Sequence, residues 1–156
     1  MTITHALYLI AITFICSMGF GIVFRIRPSA LIYAGIGGAL TRAVFIAAQS
    51  MTDNRLAYTF IAAAVAAFYA EGIAHWKKAP LTKYLYPAFV PIIPGDLLYN
   101  TVVSTITVNE AAIKTNGLAL MMSLLGIVLG SMFAPMITQS YAYWRGVYLL
   151  KTRGYD

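Results

Sequence analysis

The stretch PAFVPIIPGDLLYN, from Pro87 to Asn100, decides how this chain is read. It sits inside an otherwise apolar segment. Pro91 and Pro94 have no backbone N–H to donate to the preceding turn, and Gly95 loosens the chain. Asp96 then sets a carboxylate where hydrocarbon makes a charge costly. The pattern predicts a membrane helix broken near mid-depth. Lipid cannot satisfy freed backbone groups, so such a break persists only against protein or water and is expected to line a cavity.

The rest of the chain supports a membrane reading. Its 156 residues are 60% hydrophobic and only 10% charged, with a mean hydropathy of +0.76. Those values lie far from an average soluble domain. Apolar runs at about Ile3 to Phe24, Ala30 to Ala48, Leu56 to Ile73, Tyr84 to Thr105 and Gly117 to Thr138 are each near bilayer length. This predicts an all-α polytopic bundle of about five spans, the fourth broken by Pro and Gly, as a single integral membrane domain over residues 1–156. No separate soluble domain fits. The first segment lacks a basic leading region and a small-residue cleavage site, so it is expected to be retained. The connections Arg25 to Ser29, Ser50 to Arg55 and Ala74 to Lys83 read as interfacial turns.

The formal charge of +6 is distributed by side. Arg25, Arg27, Lys77, Lys78, Lys83, Arg145, Lys151 and Arg153 collect on one face of the membrane, and only Arg55 and Lys114 on the other. Positive residues favour the cytoplasmic side, which predicts an outer N-terminus and a cytoplasmic C-terminus in the cell's inner or plasma membrane. Trp76, Tyr84, Tyr86, Tyr141, Tyr143 and Trp144 are then interfacial anchors. Basic residues at segment ends do not form a nucleic-acid surface, so no nucleic-acid partner is expected. No internal repeat stands out. Gly35 with Ala39, and Gly126 with Gly130, are spaced for close helix packing within one subunit.

Ionisable residues inside spans are functional candidates. Arg42 and Asp96 each lie about 17 Å from the basic face at a 1.5 Å rise per residue, whereas Glu71 lies only about 8 Å in. Arg42 and Asp96 are expected to approach each other. One reading is a buried ion pair holding two helices in register; another makes Arg42 a carboxylate fork and Asp96 a proton carrier. Asp96 also reads as an N-cap for a half-helix beginning at Leu97. That half-helix would present free N–H groups and a positive dipole end to an anionic group. An ionised Asp96 opposes such an anion, which points either to a zwitterionic substrate or to a protonated Asp96. Tyr99 and Asn100 follow on the same half-helix as neutral hydrogen-bonding candidates. The predicted substrate-binding set is therefore Arg42, Pro91, Pro94, Gly95, Asp96, Tyr99 and Asn100.

Other chemistry finds little support. Glu71 and His75, four apart on one helical face, read as an interfacial hydrogen-bonded pair. His5 lies on the opposite membrane side, so no metal site is formed. Cys16 is alone and reads as packing. No nucleophile and base pair, phosphate-cradling loop or zinc motif occurs, so neither an enzyme nor a cofactor is expected.

The run PAFVPIIPGDLLYNTVVSTI resembles the signature of the threonine/serine exporter family, in particular its small, separately encoded membrane subunits. The basic turn FRIRPSAL after the first helix, the third helix ending in a basic stretch and the proline-broken fourth helix are similar in order and spacing. The resemblance implies secondary export of threonine and serine, or of small dicarboxylates such as succinate. It also implies a larger membrane subunit of the same family as partner, in a homo- or hetero-oligomer. Two competing expectations are a non-transporting assembly or regulatory subunit and a small ion channel.

Overall fold

A computed structural model describes residues 3–153, with side chains described for residues 4–138. The elements are α1 (Ile3–Val23), α2 (Pro28–Met51), α3 (Arg55–Lys77), α4 (Thr82–Phe89), a 3-10 turn (Val90–Ile92), α5 (Gly95–Ile106) and α6 (Glu110–Arg153). Four helices are long and apolar enough to cross a bilayer. The pair α4 and α5, bent by 56° at the break, makes a fifth if the two are counted as one span. The chain is thus an all-α, multi-pass membrane bundle.

Several helices outrun their apolar cores. α3 continues to Lys77 and α6 begins at Glu110, seven residues before the apolar run. Polar residues at these ends carry no proline to stop the helix, and the interfacial region solvates them. Of the expected interfacial anchors, Trp76 and Tyr86 are exposed, but Tyr84 is buried against Ala70 and Ala74. The side chains of Tyr141, Tyr143, Trp144, Arg145, Lys151 and Arg153 lie outside the described residues.

α3 is the central helix because its inward residues are almost all alanine. Ala62, Ala63, Ala66, Ala67 and Ala70 are buried and leave room for neighbouring backbones. α6 uses that room through Gly126 and Gly130, where an added Cβ would fall 2.9 Å from the Leu56 carbonyl oxygen and 2.6 Å from that of Phe60. Across the bundle, Gly35 and Gly38 of α2 admit Phe14 and Ser17 of α1. The Tyr69 hydroxyl donates to the Tyr33 carbonyl oxygen at 2.8 Å, tying α3 to α2.

Three turns end helices in the same way, with Arg25, Lys78 and Val108 at positive φ. In each, the following amide reaches back to the last turn, as Asn109 N–H does to Ser104 O at 3.0 Å. Val108 is the strained member, since a β-branched side chain disfavours this conformation.

Candidate functional site

The break is built by three consecutive refusals to continue a helix. Pro91 lies within the 3-10 turn, Ile93 is extended at φ −64°, ψ 120°, and Pro94 adopts φ −81°, ψ 62°. Gly95 N–H donates to Ile93 O at 2.9 Å, which makes Pro94 the centre of an inverse γ-turn. α5 restarts at Gly95. No side chain caps it, and Asp96 lies in its first turn. The expectation that Asp96 is the N-cap of a helix starting at Leu97 is corrected: the tight turn at Pro94 begins the helix two residues earlier. Asp96 still complements the positive end of the α5 dipole from within the first turn.

A cavity of about 360 Å³ opens beside this break. Pro91, Ile92, Ile93, Pro94 and Asp96 form one wall, Arg42, Phe45 and Gln49 of α2 a second, Arg55, Tyr58 and Thr59 of α3 a third, and Ser123 of α6 completes it. Its polar groups are unlike those of an ordinary helix seam. Two arginines and one aspartate leave a formal net charge of +1.

Aromatic rings hold the two guanidiniums. Arg42 Cζ lies 5.5 Å from the Phe45 ring centroid and Arg55 Cζ lies 5.8 Å from that of Tyr58. Phe45 and Tyr58 pack edge to face at 5.1 Å. Such contacts attract a cation without neutralising it, so both guanidiniums keep donors for a ligand. Arg42 Nε is buried and has no hydrogen-bond partner, a costly state for a charged donor. No ion pair joins Asp96 to either arginine among the described residues. The cavity therefore offers forked cationic donors facing a separate carboxylate, an arrangement suited to a small solute bearing one or more carboxylates.

Among the residues singled out in the sequence, Arg42, Pro91, Pro94 and Asp96 line this cavity, while Gly95, Tyr99 and Asn100 do not. Tyr99 is 69% exposed, and Asn100 is exposed on α5 as well. Sequence reasoning missed Arg55, Tyr58, Gln49 and Ser123. Arg55 was legible only as a polar residue at a helix start, because nothing in one sequence shows that α3 leans its first turn over the break. Glu71 and His75 do not bond each other; Glu71 Oε1 instead accepts from the Thr138 hydroxyl of α6. That pairing follows from how closely α6 packs on α3.

A broken span inside a membrane bundle, with a charged cavity beside the break, is the architecture of membrane transport proteins. The family model described as Threonine/Serine exporter, ThrE, matches residues 9–137, and the chain belongs to that family. No curated relative and no solved structure matches the chain. The family is one of transporters and not of enzymes.

Proposed function

We propose that this chain is the small membrane subunit of a secondary exporter and that the cavity at the Pro94 break holds the carboxylate of its substrate. The observation that carries this reading is the pair of aromatic-held guanidiniums, Arg42 and Arg55, lining one cavity of about 360 Å³ together with Asp96. Small-molecule sites occupy roughly 300–1,000 Å³, so a solute of a few carbons suits it. Threonine and serine fit by placing the carboxylate on arginine and the ammonium on Asp96. A small dicarboxylate such as succinate fits by bridging the two arginines.

A larger membrane subunit of the same family is the partner in this reading. α5 packs mainly on α6, leaving the polar side chains of Asp96, Tyr99 and Asn100 exposed. A second protein covering that face would satisfy them. The charge asymmetry supports an outer N-terminus and a cytoplasmic C-terminus in the cell's inner or plasma membrane, with the cavity in the outer half. The test is reconstitution of this chain with such a partner in lipid vesicles loaded with labelled threonine, serine or succinate. Efflux above that of partner-only vesicles supports the reading. Absence of flux with every solute, while both chains are folded, overturns it.

A further inference from the structure

At the opposite end of the bundle from the break, the α1–α2 turn and the α3–α4 turn converge. We propose that they form a binding site for a phosphate-bearing anion, and that its occupant is the headgroup of an anionic phospholipid. A cavity of about 270 Å³ is lined there by Arg27, Ser29, Lys77, Lys78 and Lys83, with Tyr84 among its less polar wall residues. Four cations thus face one space, and among the described residues no Asp or Glu lines it. Like charges gathered this way repel, and an anion among them relieves that repulsion.

Helix geometry adds a second, independent reason. The N-termini of both α2 and α4 lie at this cavity, with Ser29 in the first turn of one and Lys83 in the first turn of the other. Neither terminus has a side-chain cap or an acidic residue in its first turn. The positive dipole ends, normally met by a carboxylate or hydroxyl, are instead met by Arg27 and Lys83. An anion supplies what both helices lack.

The surroundings favour a lipid over a soluble anion. Lys77 Nζ sits 4.1 Å from the Trp76 ring centroid and 4.6 Å from that of Tyr33, while Trp76 itself is exposed. Beside the site, exposed Phe24 and Tyr86 pack together at 5.4 Å. Aromatic residues of this kind mark the headgroup level of a bilayer, where acyl chains descend along the helices. Basic pockets between spans at that level suit anionic headgroups. This site shares no lining residue with the cavity at the break and does not depend on the exporter reading.

The experiment compares thermal unfolding of the full chain in mixed micelles containing phosphatidylglycerol, phosphatidylcholine, or phosphatidylcholine with inorganic phosphate. Phosphatidylglycerol is expected to raise the midpoint of the wild type, and the other two are not. The Arg27→Gln, Lys83→Gln double variant is expected to lose most of that rise, whereas Lys114→Gln at the other face keeps it. An equal rise with inorganic phosphate overturns the lipid assignment. A full rise retained in the double variant, or no rise in the wild type, overturns the site. Should the double variant fail to fold, native mass spectrometry of the single variants decides: phosphatidylglycerol retention equal to wild type in both overturns the site, and reduced retention supports it. A chain that binds the lipid but moves no solute leaves this site standing and counts only against export.

Discussion

Phe45 of α2 and Tyr58 of α3 meet edge to face at an interplanar angle of 83°, and each ring has an arginine guanidinium within 6 Å of its centre. The contact joins two helices and fixes two cations on neighbouring walls of one cavity. Arg42 is the deeper of the two. Charged hydrogen bonds are worth about 1.5–3 kcal/mol, so Arg42→Gln should raise the KM for a carboxylate solute roughly 10- to 100-fold. Arg42→Lys keeps the charge but loses the fork, and is expected to recover only part of that loss. Concentration-dependent flux in vesicles measures both.

Asp96 should set selectivity through charge. With Asp96→Asn the formal charge of the cavity lining rises from +1 to +2, since only the two arginines remain charged. Competition assays should then show a shift towards dicarboxylates and away from zwitterionic amino acids. An unchanged preference would remove Asp96 from the binding set.

Pro94→Ala should straighten the broken span. The variant regains an amide donor and relaxes the γ-turn, so the 56° bend between α4 and α5 should decrease. Spin labels at exposed Tyr86 and Val103 report the change as a longer distance. Transport should fall as the cavity narrows.

Close packing of α6 on α3 predicts an asymmetric response to added methyl groups. Gly130→Ala places a Cβ against backbone atoms that cannot move aside, and overpacking of this kind costs about 1–3 kcal/mol. Gly72→Ala meets nothing within 4 Å, and as a helix-interior change it should be neutral or stabilising by up to ~1 kcal/mol. Thermal unfolding in detergent separates them.

Val108 holds a left-handed conformation at φ 52° that suits glycine far better. Relieving this strain with Val108→Gly should stabilise the α5 to α6 turn by about 1 kcal/mol, seen as a raised unfolding midpoint.

The broken span was legible because proline chemistry is local: Pro91 and Pro94 lack donors whatever surrounds them. Arg42 and Asp96, which line one cavity, stand out as candidates because any charge in an apolar run is conspicuous. The N-cap expectation for Asp96 failed at the same level of detail, since a γ-turn at Pro94 starts the helix two residues before Leu97. Arg55 and Tyr58 carried no such mark. They sit at a helix start where polar residues are ordinary, and only packing brings them to the break.

What the residues alone determined was therefore the membrane bundle, its side-to-side charge bias and the place where one helix must stop. Folding in three dimensions decided which groups come together: Arg55 with Arg42 on neighbouring walls of one cavity, Glu71 with Thr138, and four basic side chains around two uncapped helix ends. The reason is physical. Backbone refusal and hydropathy act over a few neighbours along the chain, whereas a site of opposed charges depends on which alanines and glycines let distant helices come close.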